Sequence, residues 1–159
     1  MREMGRTDRH EREGRADRHE RGATWTGTRG GGRLGQIIRL HCQQCGFERE
    51  LYVGGGLADS EWETIQNALP EKERHVLDAA VQAGASQIQV TRRLCVCGRC
   101  GAVYALPVVS CMLKGEQGVL YGVCPQCGAA GDPDWEEEGA IPCPVCRSGL
   151  TKQQAGHWD

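Results

Sequence analysis

Eight of the ten cysteines stand as four Cys-x-x-Cys pairs: Cys42/Cys45, Cys97/Cys100, Cys124/Cys127 and Cys143/Cys146. A closed structural zinc site takes four thiolates in a tetrahedron, so eight sulfurs suit two zinc ions. The two-residue spacer lets the backbone turn round a metal in a tight knuckle and offer both sulfurs from one side. Fifteen residues, 128 to 142, separate the last two pairs, a spacing that reads as a four-cysteine zinc site on its own. The stretches 101 to 123 and 46 to 96 are too long to assign that way. These eight cysteines are the expected metal ligands, and zinc, two ions per chain, is the expected cofactor.

Catalytic zinc keeps one coordination position open and usually takes His or carboxylate ligands, whereas sites built from these pairs would be closed by sulfur. The sequence offers no Ser/His/Asp constellation and no His-Glu-x-x-His, so no catalytic residue is expected and the chain is read as not an enzyme. Cys95 and Cys111 are left over and are expected to be buried thiols behaving as small hydrophobes. None of the five histidines is needed to complete a site. His41 abuts a ligand but points to the other side of a strand.

Aromatic residues make up only 5% of the chain and glycine reaches 23 of 159 residues, so little apolar surface is available for a core. Folds of that kind need metal or disulfide staples. The opening residues, Met1 to Arg15, show neither an apolar segment nor a cleavage pattern, which favours metal over disulfides and a cytoplasmic location. The longest apolar stretch, Ala102 to Leu113, is too short to span a bilayer, and no membrane partner is expected.

Charge divides the chain unevenly. Residues 1–35 carry nine Arg against six acids, a net +3, while residues 36–159 carry ten Lys and Arg against fifteen acids, a net −5. Two zinc ions, each held by four thiolates with a formal charge of −2, would take that body to about −9. Such a body is a poor match for a phosphate backbone. The first 35 residues contain a direct repeat, Gly5 to Glu13 over Gly14 to Gly22, followed by the Arg29-Gly-Gly-Gly-Arg33 run. They are expected to form a disordered Arg/Gly-containing tail.

The elements that must position the knuckles can be read in outline. Gln36 to His41 is expected to be a strand entering the first knuckle, with Phe47 to Val53 returning as its partner. Ser60-Glu-Trp-Glu63 fits a capping box, and Trp62, Ile65 and Leu69 fall on one helical face. Pro70 suits the first turn of a second helix, with Val76, Leu77, Ala80 and Val81 as its buried stripe and Gly84 as its C-terminal cap. Gln87 to Cys95 and Gly101 to Leu106 flank the second knuckle as strands, Gly118 to Cys124 enters the third, and Ala140 to Cys143 the fourth.

The knuckles Cys42-Gln-Gln-Cys-Gly46, Cys97-Gly-Arg-Cys-Gly101 and Cys124-Pro-Gln-Cys-Gly128 resemble those of the zinc-ribbon and rubredoxin-like families. The fourth, Cys143-Pro-Val-Cys-Arg147, lacks the glycine that permits a left-handed backbone, and must reach the same geometry at some cost. The resemblance implies a small metal-stabilised α+β fold: two zinc ribbons of short antiparallel strands, with a helical insertion near 59–84 and the tail. Residues 36–113 would form the first ribbon and 114–159 the second. Pairing in chain order would then place Cys42, Cys45, Cys97 and Cys100 at one zinc and Cys124, Cys127, Cys143 and Cys146 at the other. The rival joins the second and third knuckles, which look like the two halves of a rubredoxin holding one redox-active iron. The expected role is a structural or protein-interaction module, with protein as its partner. The acidic run Asp132 to Glu138, with Trp135, is the candidate contact patch. A nucleic-acid-binding, transcription-related regulator is the main alternative and a rubredoxin-like electron carrier the minor one.

Overall fold

The computed structural model describes residues 35–132 and 140–158. The repeat and the Arg/Gly run lie outside them, as does the acidic run beyond Asp132. The order of elements is β1 (Gly35–His41), β2 (Glu48–Val53), a short 3-10 helix (Leu57–Ser60), α1 (Trp62–Asn67), α2 (Glu71–Gln82), β3 (Ser86–Val96), β4 (Val103–Leu113), β5 (Glu116–Tyr121), β6 (Ile141–Pro142) and β7 (Gly149–Trp158). The fold is small α+β with two antiparallel sheets, one in the order β2-β1-β7-β6 and one in the order β3-β4-β5. Among the described residues no helix is long and apolar enough to cross a membrane.

The first sheet is held by alternation. Ile38 and Leu40 of β1 and Leu51 and Val53 of β2 point into one core with Ile141 and Leu150, while Arg39 faces out and pairs with Glu50 at 2.6 Å. β7, whose own sequence carries no strand signal, lies along the whole of β1, from Gly35 opposite Trp158 to His41 opposite Thr151. Gly35 is required there. A Cβ on it would stand 2.5 Å from the Trp158 carbonyl oxygen and 2.6 Å from its indole ring.

β4 is the middle strand of the second sheet and is buried on both faces, which explains its nearly unbroken apolar run. Val109 and Cys111 face the helices, joining Ile65, Leu69 and Leu77 in one core, while Tyr104, Leu106 and Val108 face the second cysteine cluster. β4 and β5 are joined by Lys114 and Gly115, both at positive φ (52° and 86°), the twist a two-residue hairpin requires. The expected boundary between residues 113 and 114 falls at this turn.

The two sheets are joined through backbone and side chains at the end of β2. Gly54, just past β2, exchanges both backbone hydrogen bonds with Arg92 of β3 at 2.7 Å. The Arg92 guanidinium donates to the buried Asp59 carboxylate at 2.7 Å and lies 5.2 Å from the centre of the Trp158 ring. Trp158 in turn donates its indole N–H to the Val53 carbonyl at 3.0 Å.

The helical pair departs from expectation in two respects. The N-cap of α1 is Glu61, one residue past the expected Ser60, and the Glu61 side chain makes no capping bond. A 3-10 turn occupies Leu57–Ser60 and shifts the helix start by one residue. Trp62, Val76 and Val81 are exposed, and only Ile65, Leu69, Leu77 and Ala80 of the two proposed stripes are buried. Gly84 does cap α2, at φ 93°, with its N–H bonded to the Val81 carbonyl and the Ala85 N–H to that of Ala80.

Candidate metal centres

All four knuckles fold alike. In each, the first cysteine's N–H donates to the carbonyl five residues on, and the N–H four residues on donates back to the first cysteine's carbonyl, with distances of 2.7 to 3.0 Å. The residue after the second cysteine takes a left-handed backbone every time: Gly46 (φ 73°), Gly101 (73°), Gly128 (69°) and Arg147 (68°). Three glycines adopt this freely, and Arg147 does so against the preference of a residue with a Cβ.

The sulfurs gather into two groups that could each hold a metal ion. The first is Cys42, Cys45, Cys143 and Cys146; the second is Cys97, Cys100, Cys124 and Cys127. Chain-order pairing is thereby corrected, and the rival pairing of the second and third knuckles is the one observed. The reason lies in the strands. β1 leads into the first knuckle and β7 leaves the fourth, and these two lie side by side, while β3, β4 and β5 carry the second and third knuckles within one sheet. One centre is therefore nested inside the chain segment that the other closes.

Geometry favours a metal in both. In the first group Sγ of Cys42 lies 3.4 Å from that of Cys146 and Sγ of Cys45 3.6 Å from that of Cys143; in the second, Cys97 to Cys127 is 3.6 Å and Cys100 to Cys124 3.7 Å. A tetrahedron with metal–sulfur bonds of ~2.3 Å has edges of roughly 3.8 Å. All four sulfurs of each group lie within 4.8 Å of one another.

Without a cation, four thiols this close compete for protons. In the second group the backbone N–H of Cys100, aided by that of Arg99, pulls the Cys97 thiol down to about 6. For Cys100 the N–H of Ala102 favours the thiolate, yet burial and the sulfurs of Cys127, Cys97 and Cys124 push its pKa up to about 12. The first group splits the same way. The Ser148 hydroxyl and N–H bring Cys146 down to about 6. The Phe47 N–H is outweighed at Cys45 by partial desolvation among the other sulfurs, Cys146, Cys143 and Cys42, and that thiol rises to about 12. Each cluster thus retains protons until a divalent ion displaces them.

The groups differ in exposure. Cys42 and Cys143 are buried, but Cys45 and Cys146 are open to solvent; in the second group Cys97 and Cys124 are buried and Cys100 and Cys127 are half-covered. Cys95 and Cys111 belong to neither ligand group and are buried, and burial raises both thiols. His41, His75 and His157 join neither group. Among the described residues, three neighbours of the clusters lie beyond the expected ligands: Ser148 beside Cys146, Tyr104 buried with the second group, and Arg147. The missing glycine in the fourth knuckle was the one signal that marked Arg147 out. Comparison with known protein families, curated proteins and solved structures gives no match.

Proposed function

We propose that the chain is a non-enzymatic, cytoplasmic zinc protein, a double zinc ribbon whose two ions hold a protein-interaction module in shape. The observation that carries this reading is that each group draws four thiols from two knuckles, at separations matching a tetrahedral ion. Four sulfurs close the coordination sphere and leave no position for water or substrate, the arrangement of structural rather than catalytic zinc. Zinc suits an all-thiolate tetrahedron and brings no redox chemistry of its own. The acidic balance of residues 36–159 supports a protein over a nucleic-acid partner.

Elemental analysis of purified protein tests the metal: two zinc per chain are expected, and one or none would sink the two-centre reading. The partner class is tested with residues 36–159 alone. No salt-sensitive binding to duplex DNA or RNA is expected, and tight sequence-selective binding at physiological salt would replace the interaction module by a nucleic-acid-binding regulator.

A second reading has an observation of its own. The second group joins the knuckles of Cys97 and Cys124 with the buried Tyr104 beside them, the pairing a rubredoxin-like iron centre uses. A red protein with an iron–thiolate absorbance band would move that centre from structure to electron transfer.

A further inference from the structure

The four knuckles share one backbone shape, and three place glycine where the chain turns left-handed. The fourth places Arg147 there, at φ 68°, and bears a strain the others avoid. Its side chain shows what is gained. The guanidinium lies against Gly101, the glycine of the second knuckle, which belongs to the other cysteine group. A Cβ on Gly101 would stand 2.5 Å from Arg147 Nη1 and 3.2 Å from Cζ. Gly101 therefore serves twice, once for its own turn and once to leave room for a cation arriving from the neighbouring centre.

The cores agree with this back-to-back placement. Ala102 and Val103 follow one another at the entry to β4 and are both buried. Ala102 packs with Cys97 and Cys124, whereas Val103 packs with Cys42 and Cys143. One residue step thus separates the wall of one centre from the wall of the other.

We propose that Arg147 couples the two metal centres, so that an ion in one raises the affinity of the other. The proposal rests on the zinc reading above. An ion held by four thiolates leaves a net −2, so two filled centres side by side repel each other. A cation between them offsets that repulsion. Metal in the first group fixes the knuckle that carries Arg147, because the Arg147 N–H is bonded to the Cys143 carbonyl at 3.0 Å. The guanidinium is thereby set against the second group's knuckle before that group fills. By reciprocity of linkage, filling the second group favours the first by the same factor. Arg147 acts through position and charge; it is not a ligand.

The full-length chain tests this by titration with cobalt(II), whose thiolate charge-transfer band reports each centre, followed by displacement with zinc. Four forms are compared: the parent, Cys45→Ser to disable the first group, Arg147→Gly, and the two combined. Cys45→Ser is expected to weaken the second centre about fivefold in the parent background, toward the low end of coupling because Arg147 is exposed, and less than about twofold beside Arg147→Gly. Arg147→Lys should restore part of the coupling, and high salt should shrink it. A merely structural role predicts otherwise, since glycine relieves the strained turn.

Should the Cys45→Ser forms fail to fold, the ratio of the two stepwise metal constants in the otherwise unaltered chain gives the same quantity. That ratio is expected to fall about fivefold on Arg147→Gly. Two ions bound with a coupling that ignores residue 147 would overturn this inference alone. Fewer than two ions would overturn the zinc reading and the inference with it.

Discussion

The two cysteine groups are built from the same knuckle and differ in what they close. The second group is local: Cys100 and Cys124 are 24 residues apart, and the strands between them, β4 and β5, form one hairpin. The first joins Cys45 to Cys143 across 98 residues and holds β1 against β7. Closing a fourfold longer loop costs about 1 kcal/mol more chain entropy, so the local centre closes the more readily of the two. Exposure runs in parallel, with two solvent-open sulfurs in the distant centre and two half-covered ones in the local centre. One motif thus serves as an internal pin in one place and as a clasp in the other.

The largest test of that contrast removes one ion at a time. A structural zinc site contributes on the order of 10 kcal/mol of metal-linked folding free energy, comparable with the whole stability of a small domain. Cys143→Ser should release the clasp, so that β1, β2, β6 and β7 lose amide protection while β3 to β5 and α2, which share a core of their own, keep theirs and one ion. Cys124→Ser should remove the pin, so that β3 to β5 lose protection while β1, β2, β6 and β7 keep the clasp and its ion. Hydrogen exchange read with metal content checks both. If Cys143→Ser empties both centres, the division into clasp and pin is broken.

A smaller effect is expected in the rate of metal loss. Exposed Cys45 and Cys146 give a chelator a path to the first ion that the second lacks. Under excess chelator at neutral pH, release should be biphasic, the first centre emptying roughly tenfold faster. A single phase in both the parent and Arg147→Gly would remove exposure as a distinction between the centres.

Acidity sharpens the comparison from another side, because here the two centres should agree. The metal-bound state carries fewer thiol protons than the free state, so metal affinity rises with pH and falls on acidification. Cys45 and Cys100, at about 12, are protonated throughout the neutral range and must each release a proton on binding. Cys97 and Cys146, at about 6, are thiolates at neutral pH and add a proton only as pH falls through that value. The slope of log affinity against pH should therefore steepen by about one proton per centre below pH ~6. Equal slopes above and below would mean the thiols do not divide the protons in this way.

The ligand residues were legible because Cys-x-x-Cys forces a knuckle locally. β1, β2 and β3 were legible because alternation and glycine punctuation are local too. The clasp was not. β7 reads Gly-Leu-Thr-Lys-Gln-Gln-Ala-Gly-His-Trp, with only Leu150 buried, so nothing in its own pattern marks a strand. It becomes one through β1, more than a hundred residues away, and through Trp158 over Gly35 and Val53. The pairing of knuckles depended on that strand, which is why chain order misled. The start of α1 was displaced in a similar way: a 3-10 turn at Leu57–Ser60 carries Asp59 to Arg92, and the helix cap falls at Glu61 and not at Ser60.

The smallest expected effect lies with the spare thiols, and it tests whether the ten cysteines divide into ligands and core. Cys111 faces the helices among Leu77, Val109 and Leu120, apart from either sulfur group. Serine there exchanges a weakly polar sulfur for a hydroxyl in an apolar setting, a change expected to lower stability by about 1 kcal/mol. Metal content and the cobalt spectrum should be unchanged, since no sulfur of either tetrahedron is touched. Cys95 offers a closer comparison. It lies two residues before Cys97 and is packed with Tyr104 in the second group's core, so serine there would disturb the pin as well as the packing. A Cys111→Ser protein that loses an ion, or one as destabilised as Cys124→Ser, would show that burial alone does not separate the structural thiols from the ligands.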